Sequence, residues 1–131
     1  MPDAPTSSSQ DCPPPDAQPA AGLVYRCARN NPPAASDLQT HAESGRLRDA
    51  DPCLRRALSV FRRLEEAEHQ IRLFQRWRRR CIARAELAAR DGAMKPTPTH
   101  LHPTHTSWWP AADLDPAARS ALFTIAREVS S

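Results

Sequence analysis

PCLRRALSVFRRLEEAEHQIRLFQRWRRRCIARAELAARD, residues 52–91, decides how the chain is read. After Pro52 it holds no glycine or proline, and Asp91-Gly92 closes it. Asp51 offers a side-chain acceptor at an N-cap position, and Pro52 suits the first helical position, where its missing N–H costs nothing. Leu54, Ala57, Leu58, Phe61, Leu64, Ala67, Ile71, Phe74, Trp77, Cys81, Ala85 and Ala88 recur in steps of three and four. That spacing predicts one amphipathic helix over 52–91. At about 1.5 Å per residue it is a rod of roughly 60 Å. The apolar stripe drifts around the rod as a repeat nearer 3.5 than 3.6 would, the condition for a coiled coil. Glu68 and Arg78 fall on or beside the seam. A helical hairpin or short bundle is therefore expected in preference to a pure zipper.

Outward from this segment the signals are local. Residues 1–21 are rich in Pro, Ser, Asp and Ala with almost no large apolar side chain, so they are expected to be a disordered tail. Residues 22–51 are expected to hold an extended segment, Leu23–Cys27, then a short helix near 37–44. Ser36 is its N-cap, Gln39 completes a capping box, and Gly45 stands just past its end. Residues 92–107 read as a Pro/Thr/His linker. Residues 108–131 read as a Trp108-Trp109 corner and a C-terminal helix over 116–129, opened by Asp115 and Pro116 and lined by Ala118, Leu122, Ile125 and Val129. The expected fold is mainly α: one long amphipathic helix with one or two short helices packed against it, behind the disordered tail.

Composition bounds the function. At 131 residues the chain is one domain at most. The formal net charge is +3. Lys95 is the single lysine beside 17 arginines, a bias that codon usage explains as well as function does. The opening Met1-Pro-Asp-Ala-Pro has neither a basic nor an apolar stretch, so no signal peptide is expected, and no apolar run is long enough to span a membrane. Cys12, Cys27, Cys53 and Cys81 form no CxxC pair, which favours free thiols and a cytoplasmic protein. Three glycines give no phosphate-cradling loop, and Asp49, Ser59 and His69 make no triad on sequence grounds. No enzyme activity, small-molecule substrate or cofactor is expected.

Two features are left to carry function. Arg72, Arg76, Arg79, Arg80 and Arg84 form a basic face on the expected helix, suited to an anionic partner. Like charges at i and i+4 would each destabilise an unpartnered helix by a few tenths of a kcal/mol. Phe61, Leu64, Ile71, Phe74 and Trp77 form an apolar face suited to another helix. The leading expectation is a small non-catalytic interaction module that binds another protein or itself, as a homodimer, through the long helix. The alternative is an accessory nucleic-acid-binding protein whose arginines lie along phosphates. His100, His102 and His105 are spaced as a metal cluster might be, but their Pro- and Thr-rich setting gives no fixed geometry, so no metal is expected.

Overall fold

The computed structural model describes residues 11–129. About 29% of them are strand and 28% helix. The expectation of a mainly α fold is therefore wrong, and the coiled coil falls with it. Where one rod was expected over 52–91, the chain runs through a 3-10 turn at Leu54–Arg56, strand β3 (Leu58–Val60), helix α2 (Leu64–Leu73), a second turn at Gln75–Trp77 and strand β4 (Cys81–Leu87).

Two antiparallel sheets form the scaffold. One has the order β1 (Gln18–Pro19), β5 (Gly92–Pro96), β6 (Thr106–Pro110), β3; the other has the order β2 (Gly22–Ala28), β4, β7 (Thr124–Glu128). Strands β2 and β4 pair along seven residues, from Gly22 opposite Leu87 to Ala28 opposite Cys81. The chain passes from one sheet to the other between β1 and β2, and again from β4 to β5 through a 3-10 turn at Ala89–Asp91. Tyr25 and Phe61 close the other side by exchanging two backbone bonds of 2.8 Å.

Side-chain alternation explains these strands. On β4, Ala83, Ala85 and Leu87 are buried while Arg84 and Glu86 are exposed; on β3, Leu58 and Val60 are buried while Ser59 is exposed. A period of two places one face of each strand toward the space between the sheets. There Val24, Leu58, Val60, Ala83, Ala85, Leu87, Met94, Trp108 and Phe123 form the main core. Trp108 is fully buried and donates its indole N–H to the Asp91 carbonyl at 3.0 Å. Gly92 has φ +129°, and a Cβ there would stand 2.1 Å from the Trp109 carbonyl oxygen, so the β5–β6 approach needs glycine.

Helix α2 packs on the outer side of β2 and β4. Ala67 and Ile71 meet Cys27, Phe61, Ile82 and Val129 in a second core, with Tyr25 and Leu64 at its edge. Phe61, Leu64 and Ile71, expected to seal a helix bundle, thus pack within the chain and largely against a sheet. Among the described residues no helix is long and apolar enough to cross a membrane.

Several boundaries move. The disordered tail expected over residues 1–21 falls partly on residues 1–10, which lie outside the described residues. Residues 11–21 are described: β1 pairs with β5, and Cys12 is joined to Cys53 by a disulfide with a Cα–Cα distance of 5.4 Å. Cys27 and Cys81 are free and buried. The Cys12–Cys53 link removes the argument from four free thiols to a cytoplasmic location. The 92–107 linker contributes β5 and the start of β6, Trp108 and Trp109 sit within β6, and the expected 116–129 helix divides into α3 (Pro116–Ala121) and β7. The short helix starts later than expected: α1 is His41–Ser44, capped by Thr40 with Glu43 completing the box, and Gly45 ends it at φ 72°.

Candidate functional site

Arg26 lies on β2 with the same parity as the core residue Val24, so it points from that strand into the space between the sheets. Its Nε donates to the Asp37 carbonyl and one terminal nitrogen to the Ser59 carbonyl, both at 2.9 Å. Both acceptors are neutral. The Asp37 carboxylate accepts from the Arg29 and Ala34 amides and the Asn30 side chain at 2.8–2.9 Å. It acts on Arg26 as a nearby charge while its oxygens hold the 3-10 turn Ala35–Leu38. Burial, then the like charge of Arg79, pushes the Arg26 guanidinium down to about 10. Arg26 is half-buried, so its charge is only partly solvated, and an anion reaching its free N–H groups would be favoured.

More positive charge gathers here. Arg79 is held below the ordinary arginine range by burial first, with Arg29 and Arg46 adding like charge while Cys27 and Asp37 offset it. His41, at the start of α1, is likewise pushed down by burial and then by Arg26, Arg46, Arg79 and Arg55. Arg55 donates its Nε to the Arg46 carbonyl at 2.9 Å, which ties the turn before β3 to the loop after α1. Segments far apart in sequence thus bring Arg79 within electrostatic reach of Arg26, and Arg26, Arg46, Arg55 and Arg79 within reach of His41. The neutral form of His41 is favoured, so the arginines supply the charge.

The sequence-derived basic face is divided by the fold. Arg72 at the end of α2 lines a small pocket with Arg78, Arg79, Arg80, Ile71, Gln75 and Val129. Arg80 also anchors the strand entry: its amide donates to the Ala28 carbonyl at 3.1 Å and its carbonyl accepts from Val129 at 2.7 Å. Arg76 is on the exposed 3-10 turn outside that lining, and Arg84 is exposed on β4 opposite Tyr25 and Thr124. Arg72, Arg79 and Arg80 are brought together; Arg76 and Arg84 are not part of that pocket. Phe74 and Trp77 stack face to face, with ring centroids 4.2 Å apart and planes 8° from parallel. The Arg79 guanidinium carbon lies 5.0 Å over the Trp77 ring.

The histidines separate by role. His102 is buried and shares a 3.0 Å contact with His69 of α2, while His105 contacts the Thr97 carbonyl at 2.9 Å and its hydroxyl at 3.0 Å. Glu66, also buried, accepts from the Thr104 amide at 3.0 Å. These bonds fasten the 97–105 loop to α2. His100 is exposed on that loop. Among the described residues no group of three or more His, Cys, Asp or Glu is placed to hold a metal ion. The Cys27 thiol donates to the Ala67 carbonyl at 3.4 Å and burial pushes it up to about 11, so it is a protonated structural thiol at neutral pH.

Sequence reasoning named Arg79 and missed Arg26, His41, Arg46 and Arg55. The available signal was Leu23-Val-Tyr-Arg-Cys27, where Val24 and Arg26 share a strand face. A cation in line with a core valine is unusual, but it shows only once Leu23–Cys27 is taken as a paired strand. Comparison with protein-family models, with curated proteins and with solved structures finds no match.

Proposed function

We propose that the chain is an anion-binding module that takes a phosphate-bearing ligand at Arg26, with Arg79, Arg46, Arg55 and His41 around it. The observation that carries this is Arg26: a half-buried guanidinium held by two neutral carbonyls, with Arg79 as a nearby like charge. Buried cations are normally matched by a carboxylate that bonds them directly. Arg119 illustrates the rule, gripping Glu43 through two bonds of 2.7 and 2.9 Å. Arg26 departs from it: the Asp37 carboxylate is a nearby charge but is bonded elsewhere, and a phosphate would add a directly bonded anion through bidentate geometry. The proposal follows the anionic-partner expectation and moves its centre from the helix face to β2. The self-association expectation loses its main support, because the long helix it required is absent.

Isothermal titration calorimetry with pyrophosphate and with a nucleoside diphosphate at low salt tests the reading. Binding should weaken as salt rises, and Arg26→Met should reduce affinity by about tenfold or more, the worth of one charge-assisted bond. Arg79→Gln, whose side chain makes no structural bond to a carbonyl among the contacts above, should weaken binding at an unchanged melting temperature. No heat of binding at low salt, or full affinity in both variants, would refute the proposal.

A further inference from the structure

We infer that the ligand is single-stranded nucleic acid, with bases stacking on the Phe74–Trp77–Arg79 column and the phosphodiester backbone running past Arg72 and Arg78 toward Arg26. The inference rests on the anion-binding reading, since Arg79 belongs to both features. Its independent support is aromatic. Phe74 and Trp77 are half-buried and belong to none of the three buried clusters. Large aromatics usually bury their surface in a core; here they stack on each other within a seven-residue run, Phe74–Arg80, that also holds four arginines. Arg72, Arg76 and Arg78 are exposed around them.

Two properties select the occupant. Arginine charge selects phosphates, and a column of ring planes selects flat bases, which add as a further layer whatever their sequence. A duplex satisfies only the first, because its base faces are already stacked. Helix α2, the longest among the described residues, exposes Glu65 in its first turn, which disfavours laying that end along a duplex groove. Acidic peptide likewise offers charge without ring planes. The Arg78 backbone, at φ 59° in the left-handed region, turns the run so that Arg79 reaches back over Trp77.

The test is fluorescence anisotropy of labelled 12-nucleotide oligo-dT and oligo-U at two salt concentrations, beside pyrophosphate titrations of the same protein. Oligonucleotide should bind more tightly than pyrophosphate and than duplex of equal length, and should quench tryptophan emission. Phe74, the outer ring of the column, is the one a base can stack on: Phe74→Leu should lower the ratio of oligonucleotide to pyrophosphate affinity by about tenfold, the worth of one base–aromatic stack, and Phe74→Tyr should restore most of it. Arg72→Gln with Arg78→Gln should flatten the log–log salt slope by about 1.4. Equal affinities for oligonucleotide and pyrophosphate, with Phe74→Leu neutral, would overturn the inference and leave the anion site standing. Polyglutamate or phosphatidylserine vesicles binding as tightly as oligonucleotide would overturn it in favour of an acidic protein or membrane surface. Failure of pyrophosphate and oligonucleotide together would remove both.

Discussion

Replacing Arg119 by Met should destabilise the fold severely, and the size of the effect can be worked from its bonds. Arg119 on α3 is 7% exposed. Its Nε donates to the Leu114 carbonyl at 2.8 Å, and one terminal nitrogen donates to the Leu38 carbonyl at 2.9 Å. Methionine keeps much of the apolar stem and removes every donor. Two carbonyls would lose a partner, one beside the buried Leu38, at about 1–3 kcal/mol each. The Glu43 carboxylate is 35% exposed, so water rescues it and its share is only about 0.5–1 kcal/mol. The total is roughly 2.5–7 kcal/mol, or a melting temperature about 10–25 °C lower for a chain of this size. Glu43→Gln leaves both carbonyl bonds and should cost about 1 kcal/mol. The pH dependence has a definite sign. Arg119 holds the Glu43 carboxyl below its usual range. That contribution is present above the unfolded carboxylate value of about 4.3 and is lost as pH falls through the lower folded value. Thermal melts of wild type and both variants from pH 3 to 7 decide the matter. A shift under about 3 °C in Arg119→Met, or equal losses in the two variants, would show that the carbonyl bonds contribute little.

Three further outcomes are expected. Gly92→Ala places a Cβ 2.1 Å from the Trp109 carbonyl at a φ of +129°; it should cost about 3 kcal/mol or more in urea titration, and wild-type stability would contradict the close approach. Burial, followed by the charge of His69, holds His102 below its ordinary range, with Glu66 acting the other way. The unfolded chain therefore takes up this proton first, and stability should fall as pH drops below about 6.5; His102→Gln should flatten that slope by up to one proton, and an unchanged slope would remove His102 as its source. Reducing the Cys12–Cys53 link, which closes a loop with a sequence separation of 41, should lower stability by up to about 4 kcal/mol. Identical melts with and without reductant would show that the link contributes nothing.

Local chemistry was legible in the sequence where a few adjacent residues settle the matter. Asp115 caps α3, its carboxylate accepting from the Ala118 amide at 2.8 Å, and Pro116 fills the first position as expected. Gly45 ends α1 in the left-handed region. The same chemistry misled by one turn at Ser36, because Thr40 and Glu43 form the same box four residues later. Asp51-Pro52 starts a helix, but only a 3-10 turn of three residues; the Asp51 carboxylate accepts from Leu54 at 3.2 Å, and Leu58 then pairs as a strand. A cap signals where a helix begins and says nothing about its length.

The long-range errors share one cause. The three-and-four stripe over 52–91 left out Val60, Ile82, Ala83 and Leu87, all of them buried. Those omitted residues carried the contrary signal: Ala83, Ala85 and Leu87 alternate with Arg84 and Glu86, and Leu58 and Val60 flank Ser59. Ala85 and Cys81 fit both patterns, since a step of four is also two steps of two. Alanine, glutamate and arginine favour helix by propensity. What overrides them is the ladder from Gly22 opposite Leu87 to Ala28 opposite Cys81, whose partners lie about sixty residues apart, beyond the reach of any local window. Arg26 was invisible for the same reason. Its importance arises from Asp37, Ser59 and Arg79 converging on it, and no contiguous stretch contains them. The Phe74–Arg80 run was visible from the start, because its charge and aromatics are adjacent in sequence. Its meaning changes with the fold: as the middle of a rod it is the chain's basic face, whereas as the turn joining α2 to β4 it places Arg79 within electrostatic reach of the half-buried Arg26.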